Sequence, residues 1–212
     1  MKTYLLTRPE HDDTTYYLSQ WSKITIQFAK NKGIRVIDLH RERAERGEVE
    51  SILNKLSPKL VVFNGHGNEK AIGGHDNKPI IIAGKNENLL KSKIIYSISC
   101  KSAKILGLKS IEAGAINFTG YNDDFIFVFE TNKVAKPLED ETAKLFLEPS
   151  NLFITSLIKG NSIKESYNKS KNLMKKTILQ LLGDDTQDTN LVRFLWWNLK
   201  HFVSYGDLKA TF

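Results

Sequence analysis

Short runs of β-branched and aromatic residues alternate along this chain with longer segments of helical periodicity, a pattern that commits it to parallel βαβ units. Tyr4 to Thr7 reads as a first strand, and Thr14 to Lys32 as a helix with Tyr17, Trp21, Ile24 and Phe28 on one face, ended by Gly33. Arg35 to Leu39 is a second strand. Arg46 to Leu56 is a helix stopped by Ser57 and Pro58, and Leu60 to Phe63 is a third strand. The glycine-containing stretch Ala71 to Gly84, with Ile80, Ile81 and Ile82, predicts a small hairpin, followed by a helix over Asn86 to Lys91. A strand then runs into Cys100. Ala103 to Ala113 is helical and Ala115 to Gly120 is another strand. Phe125 to Val134 is irregular or helical, and helices are expected over Leu138 to Leu147, Asn151 to Leu157, Ile163 to Leu181 and Leu191 to Tyr205. The expected fold is a three-layer α/β/α sandwich around a mostly parallel sheet, with residues 1–212 forming one domain.

Two strands end in residues that carry chemistry. Val61, Val62 and Phe63 lead into Asn64, Gly65, His66 and Gly67, while Ile94, Ile95 and Tyr96 lead into Ser97, Ile98, Ser99 and Cys100. Parallel strands that end side by side bring such residues to the carboxyl edge of the sheet, where α/β folds place their sites. A thiol is a useful nucleophile only as thiolate, and an imidazole can take its proton. His66 and Cys100 are therefore the expected catalytic pair. A helix starting just after Cys100 would point its N-terminal dipole at the sulfur. Gly67, without a side chain, and the N–H of Cys100 are the expected oxyanion donors. Each residue also has an ordinary reading, as a small core cysteine and a surface histidine; their parallel placement favours the chemical one.

Composition narrows the setting. The 212 residues are 41% hydrophobic and 26% charged, enough for one good core. A single cysteine excludes an intramolecular disulfide and suits a reducing, cytoplasmic compartment. The first residues are too short an apolar run for a signal peptide, and no stretch approaches the roughly 18 apolar residues of a membrane span. The net charge of +7 is densest over Lys159 to Lys176, which reads as a solvated helix face rather than a nucleic-acid site, since no aromatic residues interleave with these lysines. His11, His40, His75 and His201 are scattered in sequence, so no metal site is expected. There is no phosphate-binding glycine motif, and no cofactor is expected. Trp196, Trp197 and Asn198 fall in an apolar helical stretch and are expected in the core.

The runs into Gly65-His66-Gly67 and into Ser99-Cys100, with the glycine-containing hairpin through Gly73 and Gly74 between them, resemble the caspase-like cysteine proteases, the clan of caspases, gingipains and bacterial CHAT proteases. Later segments are similar too: Ala113 and Gly114 before the strand to Gly120 and Tyr121, then Leu157, Lys159, Gly160 and Ser162 to Glu165 resemble the later part of bacterial CHAT and gingipain-like domains. The residues around Cys100 depart from the caspase Gln-Ala-Cys-Arg-Gly string, because Lys101 and Ser102 follow the cysteine, and Ile98 stands where metacaspases carry an acidic residue. The prokaryotic branch is favoured.

The resemblance implies a caspase-like fold and a cysteine endopeptidase acting on a protein substrate through an acyl-enzyme on Cys100. It also implies that the loop after the first strand helps line the substrate pocket. Asp12 or Asp13 in that loop, or Asp123 or Asp124 after Tyr121, would select Arg or Lys by a charge-assisted hydrogen bond. Asp12 and Asp13 serve equally as an N-cap for the following helix, and Arg8 could instead select an acidic residue. Control by a regulatory protein partner, or by an activating protease cutting the loop Asn122 to Pro137, is expected, in a bacterial stress or antiviral defence setting. The competing class is a non-catalytic, pseudo-protease interaction module of the same fold.

Overall fold

The computed structural model describes residues 2–183 and 190–212. A six-stranded sheet runs in the order β2-β1-β3-β7-β8-β9, formed by β1 (Thr3–Arg8), β2 (Arg35–His40), β3 (Leu60–Asn64), β7 (Ile94–Ile98), β8 (Asn117–Tyr121) and β9 (Phe202–Gly206). The first five strands of that order are parallel, and β9 joins β8 antiparallel at the edge. β3 and β7 are buried at every position, as expected for a parallel sheet covered on both faces.

Alternate residues of each strand feed two cores. Tyr4, Leu6, Val62, Ile94 and Tyr96 face α1 (Asp13–Asn31), α4 (Glu141–Ile158), α5 (Ile163–Gly183) and α6 (Asn190–His201). Leu5, Val61, Phe63, Ile95 and Phe118 face α2 (Arg46–Lys55), α3 (Leu106–Glu112) and a small antiparallel sheet of β4 (Gly67–Asn68), β5 (Ala71–Gly73) and β6 (Pro79–Ile82). The result is the three-layer α/β/α arrangement that the alternation predicts.

Several elements differ from expectation. The hairpin at 71–84 has a third strand, β4, which ties the residue after His66 into the small sheet. The helix expected over Asn86 to Lys91 is a single 3₁₀ turn, Glu87–Leu90. Pro149 does not divide two helices: α4 runs straight through it, held by buried Phe146, Phe153 and Leu157 on its inner face, so packing outweighs one missing backbone donor. The last helix stops at His201, and Phe202 to Gly206 become strand β9. Phe202 drives this switch: it is 1% exposed and meets the rings of Tyr96, Tyr121, Phe153 and Tyr167. Trp196 is 59% exposed rather than in the core, whereas Asn198 is buried. The lysines of α5 at 164, 169, 175 and 176 are exposed, and Lys171 lies over the Tyr167 ring. Among the described residues no helix is long and apolar enough to cross a membrane.

Candidate active site

β3 and β7 are neighbours in exact parallel register, with Asn64 opposite Ile98. His66 and Cys100 each follow that pair by two residues, so both emerge at the same carboxyl edge of adjacent central strands. The edge is pinned by side chains. Asn64 donates from Nδ2 to the Thr7 carbonyl at 2.9 Å and to Ser22 Oγ at 3.0 Å, joining β3 to β1 and α1. Gly65 N–H donates to the Ile98 carbonyl at 3.3 Å, continuing the ladder one residue past the strand. Gly65 has φ of +142°, and a Cβ there would lie 2.8 Å from the Gly73 carbonyl oxygen, so only glycine lets the chain turn His66 outward. A Cβ on Gly67 would lie 2.9 Å from Ser99 Cβ. The His66 loop and the Cys100 turn therefore touch backbone to side chain.

The Cys100 turn is held by hydroxyls. Ser97 and Ser99 share a 2.6 Å hydrogen bond, and Ser102 donates to Ser97 Oγ at 3.0 Å. Lys101 adopts φ of +58°, a left-handed conformation that a non-glycine residue holds only when its surroundings impose it. Here Lys101 N–H donates to the Asp123 carbonyl and Ala103 N–H to the Tyr121 carbonyl, each at 3.0 Å. Residues 100–105 form turns and α3 starts only at Leu106, so the helix dipole expected at the sulfur is absent from this arrangement. Ser97 to Ser102 spend their hydroxyls on the turn instead of on a helix cap.

The thiol is shielded. Cys100 Sγ–H is directed at the Phe125 carbonyl, 3.8 Å away. Burial pushes the thiol pKa up, and the Asp124 carboxylate adds to this against the Lys101 ammonium. The strap over the thiol, residues 124–130, has no regular secondary structure and is clamped: Trp197 Nε1 donates to the Asp124 carbonyl at 2.9 Å, Ile126 N–H donates to Asn198 Oδ1 at 3.0 Å, and Asn198 Nδ2 donates back to the Ile126 carbonyl at 2.5 Å. Phe125, Phe127 and Phe129 stack in series from Tyr121 to Tyr17.

The histidine has a carboxylate partner that the sequence reading placed elsewhere. Asp12 caps α1, its Oδ1 accepting the Thr15 N–H at 2.7 Å, while its Oδ2 lies 2.6 Å from His66 Nε2. The Thr15 N–H and the His66 imidazole hold the Asp12 carboxyl below its usual range, although burial opposes them. An ionised carboxylate only accepts, so His66 Nε2 is the donor in this pair. Asp13 is the exposed first residue of α1. Asp124 and Asp123 sit beside the Cys100 turn, 3.1 Å and 3.9 Å from Lys101 Nζ.

Arg8 is not free to select an acidic residue. It is 5% exposed, donates to both oxygens of Asp38 at 2.8 and 2.6 Å, and bonds Ser19 Oγ at 2.8 Å. Two of the four histidines that look scattered in sequence come together with His66: His11 lies 5.9 Å ring to ring from His66 and 5.7 Å from His75, whereas His40 lies against Glu10 and His201 against Asn122. Loop residues 55 to 64 positions apart in sequence meet at one sheet edge, which no local spacing signals.

No family model matches the sequence, and no curated protein matches it. Among solved structures the chain is similar to the Arg-specific cysteine proteinase gingipain R (RgpB), with a TM-score of 0.64 and 10% identity over 99% of this chain and 47% of that one. It is similar also to the complex of the pro- and mature domains of Porphyromonas gingivalis RgpB, with a TM-score of 0.63 and 10% identity over 98% of this chain and 47% of that one. A further protease structure matches with a TM-score of 0.55 and 15% identity, over 99% of this chain and 48% of that one. The chain thus spans about half the length of the structures it matches. It shares their caspase-like α/β/α fold.

Proposed function

We propose that the chain is a cysteine endopeptidase in which Cys100 is the nucleophile and His66 the general acid and base. The observation that carries this reading is the Asn64–Ile98 register, which brings the two residues out at equivalent places on adjacent strands. Cys100 Sγ gives its proton to His66 Nδ1 and attacks the carbonyl carbon of the scissile bond. The N–H groups of Gly67 and Cys100 receive the developing oxyanion. His66 returns the proton to the leaving amine, and water then releases the acyl group from Cys100 with His66 acting as base. Asp12 serves as a positioning residue that fixes the imidazole tautomer.

The substrate residue before the cut is Arg or Lys in this proposal. Asp123 and Asp124 stand beside Cys100, where either could exchange Lys101 for a substrate cation. Asp13 lies on the rim beyond Asp12. The resting thiol is held in check by the strap, so a partner protein or a cut within residues 122–137 activates the enzyme by moving Phe125. Such a controlled protease suits a cytoplasmic role in bacterial stress or antiviral defence.

The test is a panel of fluorogenic peptides ending in Arg, Lys or Asp, given to wild type and Cys100→Ala with and without limited proteolysis. Cleavage after Arg or Lys that disappears in Cys100→Ala is the expected result. Silence in every condition contradicts the proposal and favours the pseudo-protease interaction module.

A further inference from the structure

We propose that His11, Asp12 and His66 form a site for a divalent transition-metal ion of the zinc class, and that the bound ion switches the thiol chemistry off. The inhibitory half rests on His66 being the base, as proposed above; the binding half does not.

One donor atom from each of the three residues lies within 4.8 Å of the other two. Two imidazole nitrogens and one carboxylate oxygen are a donor set that suits Zn²⁺, leaving one tetrahedral position open. Donors about 2.0–2.2 Å from a tetrahedral ion stand roughly 3.3–3.6 Å from one another. His11 Nε2 is already 3.6 Å from Asp12 Oδ2, while His66 Nε2 is 2.6 Å from it. The second pair must open by less than about 1 Å for an ion to sit between them.

The loop aims these donors without needing an ion. Thr15 saturates Asp12 Oδ1, with its N–H at 2.7 Å and its hydroxyl at 2.8 Å, and so turns Oδ2 toward the two imidazoles. The same hydroxyl receives the N–H groups of His11 and Asp12 at 3.0 and 3.1 Å, fixing the backbone of both ligands. The present partner of His11 Nε2 is Asn77 Oδ1 at 3.1 Å, a neutral contact that an ion would replace. His11 Nδ1 is buried with no hydrogen-bond partner, so the ring is not locked from its other side.

Occupancy blocks catalysis through proton bookkeeping. When His66 Nε2 gives its lone pair to the ion, the one proton of the neutral ring moves to Nδ1. No nitrogen then remains to accept the Cys100 proton. Asp12 is drawn to the ion as well and no longer sets the tautomer. His11 takes no part in the cleavage chemistry, so its removal separates the two activities.

The chelator-treated full chain is titrated with ZnCl2 by calorimetry and with CoCl2 by visible absorption, which reads tetrahedral coordination. Wild type, Cys100→Ala, His11→Ala and His11→Gln are compared, each checked for native circular dichroism. One ion per chain is expected in wild type and Cys100→Ala, with affinity lower by at least about tenfold in both His11 variants. Metal-free peptide cleavage should be unchanged in the His11 variants, and their inhibition by ZnCl2 should weaken in step with affinity. Unaltered affinity in the His11 variants, loss of binding in Cys100→Ala, or a preference for Ca²⁺ or Mg²⁺ over Zn²⁺ overturns the site. His11-dependent binding in a chain that cleaves nothing upholds the site and counts against the protease reading; cleavage that continues with the ion bound refutes the inhibition.

Discussion

The carboxylate of Asp12 lies 2.6 Å from Nε2 of His66 while capping α1 through its other oxygen. One side chain thus links the start of a helix to the proposed base. Asparagine caps helices about as well as aspartate, so Asp12→Asn separates the two duties. Stability should change by no more than about 0.5 kcal/mol, whereas kcat/KM should fall by between about tenfold and 10⁴-fold as the imidazole loses its fixed tautomer. Chemical denaturation and steady-state kinetics on the same preparation check both parts.

The thiol of Cys100 is held above its ordinary pKa by burial and by Asp124. Asp124→Asn removes a charge that opposes the thiolate and frees Lys101, which favours it, so both effects lower the pKa. Alkylation by iodoacetamide, followed against pH, should reach half its maximal rate above the usual thiol value of about 8.5 in wild type and at lower pH in the variant. A slower reaction in Asp124→Asn would contradict the electrostatic account.

Gly67 faces Ser99 so closely that an added Cβ would sit 2.9 Å from the serine Cβ. Gly67→Ala should therefore push the His66 loop away from the Cys100 turn. We expect destabilisation of about 1–3 kcal/mol, the usual range for overpacking, with a larger proportional loss of peptide cleavage. A variant with lowered stability but full turnover would remove Gly67 from the site.

The strands and the pair they present were legible because buried parallel strands leave nearly continuous apolar runs, and Val61 to Phe63 and Ile94 to Tyr96 are such runs. What escaped was set by distant contacts. Strand β9 looked helical because Val203 and Tyr205 continue the apolar pattern of α6, and only the ring cluster around Phe202 decides otherwise. The helices expected over Leu138 to Leu147 and Asn151 to Leu157 are one, α4, whose buried residues carry it through Pro149. The Asp12 partnership with His66 spans 54 positions, and the Asp-Thr cap signal at 12–15 masked it. Phe202→Ala should cost about 3–5 kcal/mol by the removal of a buried aromatic, measured by denaturant unfolding.

Glu10 anchors the loop that carries His11 and Asp12. Its carboxyl accepts from Ser19 at 2.6 Å and Arg41 at 2.8 Å, and lies 2.9 Å from His40. Burial would raise its pKa, but these partners bring it down to about 2. A depressed folded-state value contributes stability above the unfolded value of about 4.3, and that contribution disappears as pH falls toward 2. Wild type should be more stable than Glu10→Gln at pH 6, with the gap closing between about pH 4 and pH 2. A gap that is constant with pH would assign the loss to packing.

The central claim is that Cys100 is a nucleophile activated by His66. It is tested most directly by intact-mass spectrometry after exposure to a peptidyl-arginine chloromethyl ketone, before and after limited proteolysis of residues 122–137. The account predicts one adduct on Cys100 that forms faster once the strap is cut, is absent in Cys100→Ala and is strongly slowed in His66→Ala. Labelling of His66→Ala at the wild-type rate, or no adduct on Cys100 in the cut chain, would contradict it.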